Sequence, residues 1–590
     1  MGDVAEPRRY VDSADGARIA VYEQGPADAP TVVLVHGWPD SHVLWDAVVP
    51  LLADRFHVVR YDNRGVGASS VPKPVAAYRL SRYADDFAAV VDAVAPGRPV
   101  HVLAHDWGSA AIWEYLARPQ AADRVASFTS VSGPSADHLH AYVWGNLARP
   151  YRPRRFVRAL AQLAAFSYMA LLSIPGLSPV LVRAAVRRGL LRGLLLRDGI
   201  PPARIRHSPN LLTDAVNSAK VYRANFLPAL VSGRRDHYIG VPVQLIVNTR
   251  DRHVRPHVYE DTHRWVSRLW RRDLHAGHWS PMSHPQLLAR AVTQLVDHLG
   301  GAPEHRELRR ARVGRPGGPF TDALVSITGA GSGIGRATAL EFASQGAEVV
   351  VSDIDGAAAK QTADEIVARG GVAHAYTLDV SDADAVEEFA ERVCAEHGVP
   401  DIVVNNAGIG QAGRFLDTPR EDWDRVLEVN LGGVVNGCRA FARRLVERGT
   451  GGHIVNVASM ASYAPLQSLN AYCTSKAAVY MFSDCLRAEL DAAGIGLTTI
   501  CPSTVNTNIL RGTRFSAPEG RAGRVDGRRA QLEKLFALRR YGPDKAAKAI
   551  VSAVQANKPI RPVMPEAYFV YGVSRLLPQA LRSTARGRVL

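Results

Sequence analysis

Short apolar runs that end in turn residues alternate with helical patterns along almost the whole chain, and the series starts afresh after residue 320. A parallel strand needs a crossover long enough to hold a helix, so this alternation is the signature of βαβ units laid into a largely parallel sheet. Thr31–Val35, Val58–Tyr61, Val100–Ala104, Val125–Val131 and Val243–Asn248 are predicted strands of the first series. Ala323–Thr328, Glu348–Ser352, Ile402–Asn405, His453–Ala458 and Leu497–Cys501 are predicted strands of the second. The 590 residues exceed what one hydrophobic core organises. The expectation is therefore α/β with two domains, 1–300 and 320–590, the second ending in a tail at about 565–590. Between them, 301–319 is rich in Gly, Pro and Arg without an apolar period and is expected to be a linker. No strand signal occurs at about 134–240, and a structureless loop of that size does not suit a compact domain, so a helical insertion, or cap, is expected there.

Composition narrows the partners. The net charge of +15 would suit a polyanion, but only eight of the 71 basic residues are lysine and the arginines are scattered through both halves. Nucleic-acid binding needs a patch rather than a total, so no nucleic-acid partner is expected. The five cysteines have no paired spacing, and Met1–Tyr10 has no apolar core; neither a disulfide framework nor a leading membrane segment is expected, and the simplest address is cytoplasmic. Two stretches, Val180–Asp198 with five arginines among leucines and the tail Ala567–Leu577, leave peripheral membrane contact open. Read as one helix, Val180–Asp198 puts Arg183 and Arg187 on one face and Arg188 and Arg192 nearly opposite, a poor amphipathic pattern. His253 with His257, and His101 with His105, lack a third ligand at a matching spacing, so no metal is expected.

Ala104-His105-Asp106-Trp107-Gly108 has the form of a nucleophile elbow, a strand-to-helix turn with small residues two positions either side, but with Asp where serine is usual. No Gly-x-Ser-x-Gly occurs in this half. His36-Gly37-Trp38-Pro39 follows an earlier strand, so the main-chain N–H groups of Trp38 and Trp107 could form an oxyanion hole. Asp251 and His278 follow in the order acid, then histidine.

Together with Tyr61-Asp62-Asn63-Arg64-Gly65-Val66-Gly67-Ala68-Ser69, these motifs resemble the epoxide hydrolase group of the α/β-hydrolase family over residues 1–300. The resemblance implies an α/β-hydrolase fold and two cap tyrosines that protonate a departing oxygen; Tyr168 and Tyr222 look like that pair. It implies attack by Asp106 on an epoxide carbon, then hydrolysis of the alkyl ester by water activated by His278 and Asp251, leaving a diol. The alternative is a haloalkane dehalogenase-like hydrolase, which would need weak N–H donors rather than paired phenols.

In the second half the strand ending at Thr328 runs into Gly329-Ala330-Gly331-Ser332-Gly333-Ile334-Gly335 and then a helix. Such a loop brings backbone and a helix N-terminus to a pyrophosphate. Asp353 ends the next strand, where a carboxylate accepts from ribose hydroxyls and repels a 2'-phosphate, favouring NAD over NADP. Asp379-Val380, Asn405-Asn406-Ala407-Gly408, Asn430, Ser459, Tyr472 and Lys476 follow. Tyr472 and Lys476, four apart, share a helix face, and the cation is expected to lower the phenol.

Residues 320 to about 565 resemble the short-chain dehydrogenase/reductase family throughout. The resemblance implies a Rossmann fold in which Ser459 orients the substrate oxygen, Tyr472 exchanges the proton, Lys476 also holds the nicotinamide ribose, Asn430 supports the relay and Thr507 meets the carboxamide. Where that family usually has Pro-Gly, this chain has Pro502-Ser503. The implied reaction moves hydride between an alcohol or ketone and the cofactor, and a homo-oligomer formed through this domain is implied as well. The whole arrangement resembles epoxide hydrolase D type fusions, which implies a bifunctional enzyme acting on lipophilic small molecules; the competing expectation is that one domain is catalytically idle and serves assembly.

Overall fold

Strands with both faces covered form the centre of each sheet in the computed structural model of the chain, which describes residues 6–231, 238–503, 505, 513–516 and 541–584. The chain divides into two units, Met1–Arg315 and Pro316–Leu590. In the first, β1 (Arg9–Asp12), β2 (Arg18–Gln24), β3 (Thr31–Val35), β4 (His57–Tyr61), β5 (Val100–His105), β6 (Val125–Val131), β7 (Val243–Asn248) and β8 (Leu269–Leu274) form one sheet ordered β1-β2-β4-β3-β5-β6-β7-β8. The β1–β2 and β2–β4 pairings are antiparallel and the others parallel. β3, β4 and β7 are buried along their whole length, which is why most of their residues are apolar. The chain moves outward from β3 to β4 and then returns to pair β5 on the other side of β3. That reversal opens a crevice at the carboxyl ends of β3 and β5.

The expected insertion is helical: Ala136–Leu147, Pro153–Ala165, Ser167–Leu172, Leu177–Arg187, Leu190–Arg197, Leu211–Ser218 and Lys220–Val231. Val180–Asp198 is not the single helix read from the sequence. Gly189 stands between two helices at φ 68, a left-handed conformation that glycine adopts without a Cβ penalty, and it resets the helical phase.

The expected linker 301–319 contains a short helical turn of its own. It carries the helix Arg306–Ala311, whose Leu308 is fully buried against Trp270, Leu295 and Ala311. Val313 N–H donates to the Leu269 carbonyl at 2.8 Å, and Arg272 pairs with Glu307 at 3.4 Å. A single buried leucine among arginines leaves no periodic signal, yet it ties the segment to the first unit.

In the second unit, β9 (Leu324–Thr328), β10 (Glu348–Asp353), β11 (Val372–Thr377), β12 (Ile402–Asn405), β13 (Gln411–Ala412), β14 (Gly452–Val457), β15 (Ile495–Pro502), β16 (Arg514–Phe515) and β17 (Ile560–Val563) are strands. Seven of them make a parallel sheet ordered β11-β10-β9-β12-β14-β15-β17, and β13 pairs β16 separately. Here the reversal lies between β9 and β12, which places the glycine-rich loop after β9 beside Asn406 after β12. The helix Gly333–Ser344 packs Phe342 and Ala339 into the core against Val325 and Ile327. The tail expected at 565–590 begins with the helix Pro565–Leu576, whose Ala567 is buried.

Candidate active sites

β5 ends at His105 and a helix begins at once with Asp106, which sits at φ 49, a backbone conformation that costs free energy outside glycine. The turn closes because its neighbours are small. A Cβ on Gly108 would lie 2.2 Å from the His36 carbonyl oxygen, and one on Gly37 would lie 2.6 Å from Asp106 Cβ. Trp38 N–H donates to Asp106 Oδ2 at 3.0 Å, and the Trp107 N–H also meets this carboxylate. The Tyr61–Ser69 motif holds the loop from behind: Asn63 N–H donates to His36 Nε2 at 3.0 Å, and its side-chain amide donates to the His36 carbonyl at 2.6 Å. Arg64, fully buried, pairs with Asp86 and Asp15.

His278 completes the site. Its Nδ1 lies 2.8 Å from Asp251 Oδ2, and its Nε2 lies 3.8 Å from Asp106 Oδ1. Asp251 Oδ1 accepts from the N–H groups of His253 at 2.7 Å and Val254 at 2.9 Å, which fixes the carboxylate that orients the ring. Burial alone would lower His278, but the charges of Asp251, Asp106 and Asp198 outweigh it and raise the imidazole to about 9. Burial pushes Asp106 up against the pull of His278 and the two N–H groups. Burial also acts on Asp251, but there His278 prevails and holds it below the usual carboxylate range.

The two tyrosines singled out from the sequence converge over this group. The Tyr168 and Tyr222 rings lie 5.9 Å apart, and Tyr222 stands edge-on to Trp38 at 5.2 Å and Trp107 at 5.3 Å. The phenols hydrogen-bond one another, and burial raises both, so they are protonated at neutral pH. Neither neighbouring indole is free: Trp38 Nε1 donates to the Ala215 carbonyl at 3.0 Å, and Trp107 hydrogen-bonds Tyr222. An apolar cavity reaches Asp106, Trp107 and Tyr168 between Leu139, Val143, Phe166 and Phe226.

Four residues of this site escaped the sequence reading. Asp198, from the cap, accepts from the His278 N–H at 2.8 Å, and a Cβ on Gly277 would strike it at 2.4 Å. Asp40 accepts from Trp279 Nε1 at 3.0 Å, and burial pushes its carboxyl up to about 7. His105 Nε2 donates to the His278 carbonyl at 3.0 Å, where the Asn248 amide also donates at 3.2 Å. Asp40 directly follows His36–Pro39 and could have been found from that run; Asp198 has no local signal.

The second unit holds a cavity of about 1000 Å³ lined by Gly329, Ser332, Gly333, Ile334, Asp353, Asp379, Val380, Asn406, Ala407, Gly408, Ser459, Tyr472 and Lys476. Gly335 is not in the lining; a Cβ there would lie 2.2 Å from the Gly329 carbonyl oxygen, so it permits the tight turn instead. Gly329 and Gly333 stand at φ 62 and 56. Gly331 N–H donates to Asp353 Oδ2 at 2.8 Å. The Asn406 amide donates to the carbonyls of Thr328 at 3.0 Å and Gly329 at 3.1 Å, holding the loop open. Thr507 lies outside the described residues.

Asn430 occupies a π-helical turn, Glu428–Gly432, a local irregularity often found at functional positions. Its Oδ1 accepts from Ile409 N–H at 2.8 Å and its amide donates to the Ile409 carbonyl at 3.0 Å. Gly408 has only 3.0 Å between a would-be Cβ and Asn430 Oδ1, and 3.3 Å to Lys476 Nζ. Lys476 Nζ donates to the Val457 carbonyl at 2.9 Å, and burial lowers this lysine to about 8.

The expected lowering of Tyr472 is not found. Burial raises its phenol, opposed by a hydrogen bond with Ser459, while Lys476 Nζ lies 6.0 Å from the ring centre and is engaged with the backbone.

Outside both sites, Glu348, His374 and His397 bring ligand atoms within 4.8 Å of one another, a juxtaposition across β10, β11 and the end of the helix Ala383–His397 that their spacing does not disclose.

Comparison with known proteins agrees with both halves. Residues 30–285 match the model described as alpha/beta hydrolase fold, and residues 323–516 match short chain dehydrogenase. Over 585 residues the chain is 67% identical to "Probable oxidoreductase EphD" of Mycobacterium tuberculosis, covering 99% of each chain. The chain belongs to the EphD family.

The chain thus carries a hydrolase-fold domain fused to a short-chain dehydrogenase domain, and it is an oxidoreductase of the short-chain type that uses a nicotinamide cofactor. The dehydrogenase half is also 39% identical over 199 residues to 1-deoxy-11-beta-hydroxypentalenate dehydrogenase of Streptomyces exfoliatus, covering 33% of this chain and 72% of that one. A crystal structure of a short chain dehydrogenase/reductase from Burkholderia phymatum in complex with NAD is 28% identical, with TM-score 0.42, covering 46% of this chain and 98% of that chain.

Proposed function

We propose that the first unit of this EphD family member hydrolyses epoxides through a covalent Asp106 ester, and that the second oxidises or reduces an alcohol or ketone with NAD. The observation that carries the hydrolase reading is the convergence of two protonated phenols, Tyr168 and Tyr222, on a carboxylate held by the Trp38 N–H and faced by His278. Asp106 attacks an epoxide carbon and the carbon–oxygen bond breaks, while a phenol proton passes to the leaving oxygen. Esterification removes the Asp106 charge. The phenolate recovers its proton from the His278 imidazolium, and the neutral His278 then takes a proton from water as the hydroxide adds to the ester carbonyl. The Trp38 and Trp107 N–H groups hold the oxyanion, whose collapse expels the alkoxide, and the alkoxide takes the Asp106 carboxyl proton, so the diol leaves with Asp106 ionised and His278 protonated.

Halide release fits the site less well, because it asks for uncommitted N–H donors and both indoles beside Asp106 are already hydrogen-bonded. The apolar lining supports a lipophilic substrate. A single turnover in oxygen-18 water is expected to leave label in the Asp106 carboxylate; unlabelled Asp106 with diol formed would refute the ester route.

In the second unit, Gly329, Ser332, Gly333 and Ile334 would hold the pyrophosphate, Asp353 the adenine ribose, and Lys476 the nicotinamide ribose. The bound nicotinamide supplies the hydride acceptor or donor. The Asp353 carboxylate disfavours a 2'-phosphate, which supports NAD over NADP. Ser459 orients the substrate oxygen, Tyr472 exchanges its proton, and Asn430 holds the backbone beside the relay. The diol from a 1,2-disubstituted epoxide carries secondary alcohols, so the two reactions can run in sequence; such an epoxide supplied with NAD then gives diol first and NADH after it, and diol without NADH would defeat the coupling.

A further inference from the structure

From His138 to Arg197 the chain runs for sixty residues with ten arginines and no Asp or Glu. This stretch forms the first five helices of the cap, and its structure sorts the side chains by face. On Pro153–Ala165, Ala159 and Gln162 point inward while Arg154, Val157, Arg158 and Leu160 are exposed. On Leu177–Arg187, Ser178 and Val182 are buried, and Leu177, Val180, Arg183 and Arg187 form an exposed row at helical spacing. After the break at Gly189, Leu191 and Leu195 are buried and Leu190, Arg192, Leu194 and Leu196 are exposed.

Because the phase resets at Gly189, the arginines that a single helix would spread round its circumference all reach the outside. Val157, Val180 and Leu190 are 61, 59 and 55% exposed, and Leu171 and Ile174, at the bend between helices, are 50 and 44% exposed. Arg155 and Arg158 pair with Glu260 and Asp261, but Arg183, Arg187, Arg188 and Arg192 have no ion pair among the described residues. Among those residues no single helix is long and apolar enough to cross a membrane; Pro153–Leu172 and Leu177–Arg187 are apolar enough only together and meet at a 105° bend, a shape that can lie in an interface.

We infer that this outer face of the cap docks on an anionic lipid bilayer. Exposed Leu, Val and Ile beside Arg183, Arg187, Arg188 and Arg192, which have no ion pair among the described residues, match the requirement of such a surface, apolar insertion at the headgroup boundary plus attraction to negative lipid charge. The same helices serve the site from their other side: Leu163, Phe166, Tyr168 and Met169 line the cavity that reaches Asp106. A lipophilic substrate dissolved in the bilayer would therefore meet the cap before water.

The docking inference stands apart from the epoxide reading, because its test measures partitioning and not turnover. Full-length protein is sedimented with phosphatidylcholine vesicles and with vesicles carrying about 30% phosphatidylglycerol, at low and high salt. The expected result is binding to the anionic vesicles, weakened by salt, and at least tenfold weaker binding in both Val180→Asp/Leu190→Asp and Arg183→Ser/Arg187→Ser/Arg192→Ser. Thermal midpoint and far-UV circular dichroism of each variant are compared with the parent, and the serine set guards against a misfolded aspartate set. Absence of sedimentation with anionic vesicles, unchanged sedimentation of correctly folded variants, equal binding to duplex DNA through the same arginines, or a halved mass in the aspartate variant without vesicle binding by the parent would each overturn it.

Discussion

Replacing Asp106 by Asn removes a negative charge from beside His278 and keeps the side chain's shape. His278 Nε2 lies 3.8 Å from Asp106 Oδ1. Two full charges at such a distance attract by about 4 kcal/mol in a protein site, equivalent to about three pH units. His278, raised to about 9 in the parent chiefly by Asp251, is therefore expected to titrate lower in D106N, with about three units as the upper bound because Asp251 and Asp198 still hold it up. A raised imidazole contributes stability that is fully present below its ordinary 6.5 and is lost as pH climbs through about 9; in D106N that window narrows.

Nitrogen-edited NMR of the histidine rings, with His278→Gln to assign the signal, reads the titration directly, and thermal midpoints between pH 6 and 10 read the linkage. If His278 titrates in D106N as it does in the parent, the Asp106 charge does not act on the ring and the reasoning fails. The point matters for turnover. Esterification removes the same charge as the mutation, so an imidazole that is protonated beside the free carboxylate gives up its proton more readily when water must be activated.

Three further outcomes are expected. Tyr168→Phe and Tyr222→Phe should each slow ring opening by about 10²-fold without slowing breakdown of a preformed ester, and rapid-quench detection of the Asp106 adduct separates the steps. Burial lowers Lys476 to about 8, so its charged form opposes folding fully below about pH 8 and the penalty is relieved as pH rises toward 10.5; thermal midpoints should rise over that window in the parent and stay flat by comparison in Lys476→Met. Asp353→Asn should shift the ratio of NADP to NAD affinity by at least tenfold toward NADP in a fluorescence titration, and an unchanged ratio would show that this carboxylate does not face the ribose.

Much of the sheet was legible because buried parallel strands are apolar on both faces: β6, β7 and β12 were read to the residue. The strands that escaped lie toward the sheet edges or carry polar residues. β1 buries only Val11, β8 spells Leu-Trp-Arg-Arg-Asp-Leu, and β11 faces solvent at Val372, Ala375 and Thr377. Edge strands need only one covered face, and charged side chains there protect against unwanted pairing, so their pattern fades. Tyr472 shows a different limit: its spacing to Lys476 was right, but spacing does not give the depth of burial, and burial sets the direction of its shift.

Some properties were settled by the order of residues alone. The aspartate in the elbow, the acid and histidine after it, the glycine-rich turn after β9 and the Ser459, Tyr472, Lys476 spacing all sit on local geometry that neighbouring residues dictate. Three-dimensional packing decided the rest. It brought Asp198 from the cap onto the His278 backbone at 2.8 Å, set the two phenols 5.9 Å apart, and turned the arginines on both sides of Gly189 outward. Each of these depends on where one helix lies on another, and that is set by complementary surfaces summed over many small contacts, which no short stretch of sequence contains.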